Sequence, residues 1–310
     1  MKKQLILSKL YRMIFLFLSI LSSSLIYVLF KQIERYRVVN FSAIIINYIV
    51  ACIAGFFLSD SNPYSSQIIT QKWIPVALVV GTMYIVTFYA IAKSTQKAGV
   101  AVTTVASKMS MVFPIVFSIW YDANDMLSTL KLVGILLALI AVFLTVFKKS
   151  DRAFDSRTIM LPAFLFIAMG IVDSFVKYAQ SEFISDDLVP TFSAVVFASS
   201  LMAGLLILPF NKPALKSIIK LKTWVLGALL GLANFGSLYF LIRALNHINI
   251  NIHQQLASSA VLGINNIGIV VLSVIIGFLA YKERPTLINW AGIALSGVAI
   301  VVLAMSNIYG

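Results

Sequence analysis

The sequence predicts an all-α integral membrane protein with ten transmembrane helices, arranged as two inverted five-helix repeats. Three observations support this fold class: the composition, the number of long apolar runs, and an internal repeat of about half the chain length. Of the 310 residues, 60% are hydrophobic and 11% are charged, whereas soluble proteins have about 45–50% apolar and about 25% charged residues. We therefore interpret the chain as a membrane protein without a separate soluble domain.

The second observation is a set of ten apolar runs, most of them close to the roughly 20 residues that a helix needs to cross a bilayer core of about 30 Å. Their continuous apolar character favours helices, because a spanning barrel would alternate apolar and polar residues. The first run follows a basic segment but is longer than a signal-peptide core, so we interpret it as an uncleaved span. The predicted spans are Met13–Phe30, Val38–Leu58, Trp73–Ala92, Gly99–Trp120, Leu130–Phe147, Thr158–Ala179, Val189–Phe210, Thr223–Ile242, Ile252–Ala280 and Thr286–Met305.

The third observation is the internal repeat, which divides the chain into residues 1–150 and 151–310 with five predicted spans in each half. Because five is odd, the second copy must enter the membrane from the opposite side, which makes the repeat inverted. In secondary transporters such a repeat places the substrate site near the midplane, between the two halves. The aligned residues are Phe41 with Phe192, Ala54-Gly55 with Ala203-Gly204, Gly81 with Gly231, Tyr89 with Tyr239, Lys93 with Arg243, Asp125 with Glu283, and Gly134 with Gly292.

This layout resembles the drug/metabolite transporter superfamily, specifically its EamA-type members, over essentially the whole chain. The motifs that carry the resemblance are the aromatic end of the third span, Phe88-Tyr89-Ala90-Ile91-Ala92-Lys93, then Pro114 in the fourth span, and Lys282-Glu283-Arg284-Pro285 leading to Gly292. One departure is Leu272, which aligns with Pro114 and makes a symmetric proline kink in both halves doubtful. The resemblance implies a carrier for small organic solutes, often exported.

Apart from Lys131 at the start of the fifth span, three charged residues lie inside the predicted spans, where charge is costly and usually faces a cavity or a partner. Lys108 lies midway along the fourth span, roughly 13 Å from either interface at 1.5 Å per residue. Asp173 and Lys177 lie one turn apart in the sixth span and share a helix face, so they could form an ion pair. We expect all three to contact substrate. The alternatives are a Lys108 tied to a carbonyl or carboxylate for packing, and an Asp173–Lys177 pair that only packs or marks a frayed helix end.

Neutral polar residues within the apolar runs form a second set of candidates. Asn265 and Asn266 align with Ser107 and Lys108, respectively, so we expect them near Lys108 in a central cavity. Tyr84 and Asn234 are further candidates for binding substrate. Amides and hydroxyls also bridge helices in membranes, and that packing role is the alternative for each of them.

No catalytic constellation is recognisable in the sequence. It contains no phosphate-binding loop, no His pair at metal-binding helical spacing and no Ser-His-Asp arrangement. We therefore expect a protein that is not an enzyme and has no cofactor, no metal and no ATP hydrolysis of its own. Glu182, Asp186 and Asp187 cluster in one loop, which we interpret as a solvated turn. An integral membrane enzyme or lipid-handling subunit that uses the same cavity is the alternative function, and a non-transporting assembly or receptor protein is a third.

The net charge of +13 comes from 24 Lys and Arg against 11 Asp and Glu. Most of these bases form short clusters between apolar runs, which suits lipid headgroups and not a nucleic-acid partner. We expect a multi-pass protein of the plasma membrane, specifically a bacterial inner membrane, whose partners are the lipid bilayer and a small-molecule substrate. The family resemblance implies cytoplasmic termini, whereas the overall count of Lys and Arg favours the opposite orientation. The oligomeric state stays open.

Overall fold

The computed structural model describes residues 2–59, 65–121, 128–146, 156–246, 258–283 and 285–309. Within these ranges the chain forms α-helices and two 3-10 turns, and no strand. The helices are α1 (Lys2–Arg35), α2 (Asn40–Leu58), α3 (Ser66–Ile69), α4 (Ile74–Lys97), α5 (Val100–Met109), α6 (Val112–Tyr121), α7 (Thr129–Val146), α8 (Ser156–Glu182), α9 (Val189–Ile207), α10 (Lys212–Ile218), α11 (Leu221–Asn246), α12 (Ser258–Tyr281) and α13 (Leu287–Tyr309).

Eight helical segments of the described chain are long and apolar enough to cross a membrane, and they lie in α1, α2, α4, the α5–α6 pair, α8, α9, α11 and α12. The apolar segments of α7 and α13 are shorter over the described residues, at 129–145 and 287–303. Large apolar side chains such as Phe143, Met202 and Leu279 are more than half exposed. So much exposed apolar surface suits lipid better than water. The prediction of an all-α membrane protein is therefore confirmed.

The fourth predicted span is divided into α5 and α6 at Ser110 and Met111. Pro114 has no N–H to donate to the carbonyl of Ser110, four residues earlier, and its ring would clash with that carbonyl in a continuous helix. The amides of Met111 and Phe113 instead reach back only three residues, to Lys108 and Ser110. The corresponding span of the second half has Leu272 at the position of Pro114. Helix α12 is continuous through this residue.

Glycines allow close contacts between helices of the two halves, and these contacts come in matching sets. A Cβ on Gly55 would lie 2.9 Å from the backbone of Ala194 in α9, while one on Gly204 would lie 2.5 Å from the side chain of Ile45 in α2. Small residues of this kind let membrane helices approach closely. Helix α2 therefore packs against α9 through two glycines, one from each half.

The same correspondence holds for the outer helices. A Cβ on Gly81 in α4 would lie 2.3 Å from the carbonyl oxygen of Val196 in α9, and one on Gly231 in α11 would lie 2.6 Å from the carbonyl oxygen of Asn47 in α2. In this way α4 of the first half packs on α9, and α11 of the second half packs on α2. No side chain larger than hydrogen fits at either crossing without displacing backbone.

A carboxylate from the second half caps a helix of the first half. Glu283 accepts hydrogen bonds from the backbone amides of Val100, at 2.8 Å, and Ala101, at 3.3 Å, at the start of α5. Gly99 precedes them with a φ of 100°, a left-handed conformation that glycine adopts without steric cost. A negative charge at a helix N-terminus is favoured by the unpaired amides and the helix dipole. Its repeat counterpart Asp125 lies outside the described residues.

A second set of polar contacts lies at the same end of the bundle. The amides of Asn40 and Gln96 exchange two hydrogen bonds, of 2.8 and 3.0 Å, which join α2 to α4. Gln32 of α1 donates to the Tyr281 hydroxyl, and that hydroxyl donates to the carbonyl of Val28. Together with Glu283 these contacts tie five helices at the end of the bundle where α1, α4 and α12 end and α2 and α5 begin.

We predict that Gly81→Ala will lower the free energy of unfolding by about 1–3 kcal/mol, because the new methyl group must displace the α9 backbone. Gly297→Ala is the matched control, since no atom lies within 4 Å of a Cβ at that position. The control should be neutral, or more stable by about 0.5–1 kcal/mol through helix propensity. Thermal unfolding of the purified variants in detergent measures both. Equal effects at the two positions would contradict the packing described for α4.

We also predict that Glu283→Gln will lower stability by about 1–2 kcal/mol, because the amide keeps the side-chain shape but removes the charge at the α5 N-terminus. Glu34→Gln is the control, since Glu34 forms a partly exposed pair with Lys31 at 3.4 Å and such pairs contribute about 0–1 kcal/mol. The same unfolding assay applies. A Glu34 variant that loses as much as the Glu283 variant would show that the cap contributes nothing specific.

Candidate functional site

Lys108 faces the interior of the helical bundle and not the lipid. Its neighbours on the same helix face, Thr104, Val105, Met111 and Val112, are all at most 6% exposed. Lys108 itself keeps some accessible surface. Because the surrounding helix surface is covered by protein, that accessible surface must belong to an internal space.

Asp173 faces the same interior from α8. Val172 and Val176 beside it are buried, whereas Ile171 and Phe175 on the opposite face are 39% and 38% exposed. The Oδ2 atom of Asp173 lies 3.1 Å from the Ser110 hydroxyl, at the break between α5 and α6. The contact brings a residue of the second half to the discontinuity in the first half.

Lys108 and Asp173 interact electrostatically across this space. Among the described residues, however, no carboxylate lies within 4.0 Å of the Lys108 ammonium group. Tyr84 of α4 and Tyr27 of α1 also lie within electrostatic range of the Asp173 carboxylate. Four helices thus direct polar groups toward one centre, in which the Lys108 ammonium group and the Asp173 carboxyl group are close without forming a direct ion pair.

The ion pair considered for Asp173 and Lys177 is not formed, and that interpretation is wrong. The Lys177 ammonium group donates to the side-chain oxygen of Gln180 at 2.8 Å, one turn further along α8. Asp173 instead contacts Ser110. Residues four apart on a helix share a face, but each side chain takes whichever partner the neighbouring helices and turns present.

Asn265 and Asn266 lie in α12, which packs against α5. The Asn266 amide donates to the sulfur of Met111 at 3.4 Å, which places it beside the same helix break. Asn265 is 1% exposed, and its side-chain oxygen is buried without a hydrogen-bond partner among the described residues. A buried acceptor without a donor is costly, so Asn265 has an unused capacity to bind a donor group.

Asn234 is placed apart from the other candidates. Its amide donates to the side-chain oxygen of Asn47 at 3.1 Å, and both residues are buried between α11 and α2. This contact is the helix-bridging role that was the alternative for Asn234. Nothing in the described contacts connects it to Lys108 or Asp173.

Three residues of the polar centre were not among the candidates from sequence: Tyr27, Ser107 and Ser110. The Tyr27 hydroxyl forms a hydrogen bond with Ser107, and both residues are buried. Serines are too common in membrane helices to stand out in a sequence. The available signal was the position of Ser110 four residues before Pro114, since a helix break there exposes backbone carbonyls that hydroxyls can satisfy.

The acidic loop after α8 contributes an ion pair to the end of α11. Asp186 lies 3.7 Å from the guanidinium group of Arg243 at the end of α11, and Arg243 also donates to the hydroxyl of Tyr239. The cluster of Glu182, Asp186 and Asp187 therefore holds an ion pair between helix ends. Among the described residues there is no group of three His, Cys, Asp or Glu side chains that could hold a metal ion.

Two apolar grooves lie away from the polar centre. One, of about 650 Å³, lies between α6, α7 and α8 and includes Val116, Leu139 and Phe175 in its lining. The other, of about 540 Å³, lies between α12 and α13 and includes Phe278 and Leu279. Neither groove is lined by a charged side chain, and the named residues are largely exposed. Both are surfaces that lipid chains would cover.

Comparisons with known proteins support the fold and leave the activity open. No family model matches the chain. An uncharacterized protein of Haemophilus influenzae is 27% identical over 299 residues, which cover 93% of this chain and 96% of that protein. A solved crystal structure of a protein superimposes with a TM-score of 0.61 at 13% sequence identity, covering 95% of this chain and 96% of the other. The chain is thus similar to one solved fold over nearly its whole length.

Proposed function

We propose that the protein is a secondary transporter for a small organic metabolite, built from ten membrane spans in two inverted repeats of five, residues 1–150 and 151–310. The observation that carries this proposal is the polar centre at Lys108 and Asp173. Charged groups at this depth in an apolar bundle are expensive, and they usually mark a substrate or ion pathway. Each half contributes one of the two charges, as expected for a site between repeats.

Matching contacts in the two halves support the inverted repeat. Lys93 lies over the ring of Tyr89 at 5.6 Å, and Arg243 lies over the ring of Tyr239 at 5.4 Å. These are the residues that the sequence alignment pairs. The glycine contacts of α2 with α9, of α4 with α9 and of α11 with α2 follow the same correspondence. A two-fold relation between the halves accounts for all of them together.

Helices α7 and α13, whose apolar segments are shorter than the eight candidate spans, support the proposal in the same way. A Cβ on Gly134 of α7 would lie 2.6 Å from the side chain of Leu303, and one on Gly292 of α13 would lie 2.5 Å from the amide of Thr145. Helices α7 and α13 therefore pack along each other through equivalent positions of the two repeats. We assign them as the fifth and tenth spans of the carrier.

The chemistry of the centre favours a substrate that carries an anionic group, such as an amino acid. Lys108 offers a cation that no carboxylate among the described residues pairs with directly. Asp173 offers a carboxyl group within the same space, which is an anion when its proton is released. The unused acceptor of Asn265 and the hydroxyl of Tyr84 add neutral polar groups. A zwitterion could satisfy both charges at once, whereas an apolar solute would leave them unsatisfied. Lys177 lies on the same face of α8 as Asp173, nearer to the side of the membrane on which we place the termini.

Transport by alternating access requires the two halves to move against each other. At the end of the bundle where α1 and α12 end, the Gln32–Tyr281 bond and the bonds of Glu283 to the start of α5 join the first half to the second. Opening on that side would require these bonds to separate. We propose export as the direction and the bacterial plasma membrane as the location, with both termini in the cytoplasm.

We predict that Lys108→Met will reduce transport by about tenfold or more, a loss of about 1.4 kcal/mol or more in substrate or transition-state interaction. The assay is counterflow of labelled amino acids in liposomes that contain the purified protein. Lys93→Met is the matched control, because Lys93 lies over Tyr89 near the end of α4. The control should retain wild-type transport. Counterflow at the wild-type rate by the Lys108→Met variant would show that Lys108 is not part of the substrate site.

We further predict that neutralising Lys108 and Asp173 together will restore much of the stability that each single change removes. When Asp173 is ionised, either single change leaves one buried charge without its counter-charge, which typically costs about 3–5 kcal/mol for a direct pair and less for a separated one. The variants are Lys108→Met, Asp173→Asn and their double combination, compared by thermal unfolding in detergent. The control double variant, Asp173→Asn with Lys177→Met, should show no recovery. Recovery of stability in the Asp173–Lys177 double variant but not in the Lys108–Asp173 double variant would contradict the assignment of Lys108 as the partner of Asp173.

A further inference from the structure

The Ser110 hydroxyl faces two acceptors but has only one hydrogen. Its oxygen lies 2.5 Å from the carbonyl oxygen of Ser107 and 3.1 Å from Oδ2 of Asp173. A serine hydroxyl can donate one hydrogen bond and accept two. A carbonyl oxygen can only accept, so the short contact to Ser107 is a bond only if Ser110 donates to it.

The Ser107 carbonyl depends on this hydroxyl because of the helix break. In a continuous helix it would accept from the amide of Met111, but that amide bonds to the carbonyl of Lys108 instead, at 3.4 Å. Ser107 is fully buried. A buried carbonyl that loses its donor costs about 1–3 kcal/mol, so the Ser110 hydrogen is held at Ser107.

The Ser110 hydroxyl can donate its one hydrogen to Asp173 or to Ser107. While it donates to Ser107, its contact with Asp173 is a hydrogen bond only if Asp173 donates a hydrogen. A charged carboxylate would face the lone pairs of the Ser110 oxygen at 3.1 Å, with no other donor within hydrogen-bond distance among the described residues. A protonated Asp173 donates to Ser110, and Ser110 donates to Ser107. This chain of two bonds satisfies every group in it.

The groups that face Asp173 from the helices around it are few. Lys108 comes from α5, Tyr84 from α4 and Tyr27 from α1, and Lys177 lies on α8 itself. The described side chains of α6 add no charged or titratable group. Asp173 keeps some accessible surface, which gives a proton from water a route to the carboxylate.

We propose that Asp173 is a proton-binding site and that the proton is the coupling ion of the carrier, an inference that rests on the proposed function. When Asp173 releases its proton to water, the Ser110 hydrogen turns to the carboxylate and the Ser107 carbonyl loses its donor. The buried Ser107 carbonyl at the break between α5 and α6 is then without a hydrogen bond, while the negative charge of Asp173 faces Lys108. Proton binding thus acts on the helix segment that carries the substrate-binding lysine.

Infrared difference spectroscopy of the purified protein tests the proton site without substrate. From about pH 4 to about pH 9, a range that begins near the ordinary pKa of a carboxyl group and extends well above it, the wild type should show the C=O band of a protonated carboxyl that disappears as the pH rises. Asp173→Asn should lack this band. Ser110→Ala should shift it to higher frequency, because the carboxyl loses its acceptor.

Ser174→Ala is the matched control, since that hydroxyl lies on α8 next to Asp173 but donates to the Gly170 carbonyl. It should leave the band unchanged. A wild-type spectrum without a band assignable to Asp173 overturns the proposal, and so does a Ser110 variant with an unshifted band. Circular dichroism and monodispersity in detergent identify variants that fail to fold, and Ser110→Thr, which keeps the hydroxyl, should restore the wild-type frequency.

Coupling is tested in liposomes with a trapped pH-sensitive dye and a mixture of amino acids as the probe. Addition of the mixture should accelerate proton movement through the wild type, and Asp173→Asn should reduce this movement by about tenfold or more. Amino-acid counterflow without any accompanying proton movement would contradict proton coupling but would agree with the proposed transporter function. An infrared band with no transport of any probe would instead keep the proton site and refute the transporter.

Discussion

The buried break between α5 and α6 is the feature on which the polar centre depends. A membrane interior offers no water to an unpaired carbonyl, so each backbone group freed by a break must find a partner within the protein. The Ser110 hydroxyl meets this need for Ser107, and by doing so it reaches the Asp173 carboxylate. One proline, four residues further along, is the origin of this arrangement.

The contacts between the halves are of two kinds. Glycine crossings join α2 to α9, α4 to α9 and α11 to α2 with backbones in direct contact, which makes those parts of the bundle rigid. At the end of the bundle near Glu283, the hydrogen bonds of Glu283 to α5 and of Gln32 to Tyr281 add polar contacts between the halves. Hydrogen bonds of this kind exchange readily for water, so movement is least costly where the helices end.

Sequence patterns predicted the helical membrane architecture well because apolar run length is a local property. Nine of the ten predicted runs correspond to a single apolar helix in the described chain, and the fourth corresponds to the α5–α6 pair. The interior position of Lys108 also followed from its depth alone. In contrast, the start of the predicted ninth span, residues 252–257, and Asp125 lie outside the described residues.

The sequence by itself determined the fold class, the apolar segments and the rarity of charges inside them, because composition and periodicity decide whether a helix is stable in lipid. Only the tertiary structure decided which polar groups meet. Spacing along α8 suggested Lys177 as the partner of Asp173, yet Lys177 bonds to Gln180 and Asp173 contacts Ser110, 63 residues away in sequence. Asn234 likewise joined Asn47 across a helix crossing. A side chain selects its partner by the packing of neighbouring helices, and that packing depends on contacts between residues far apart in the chain.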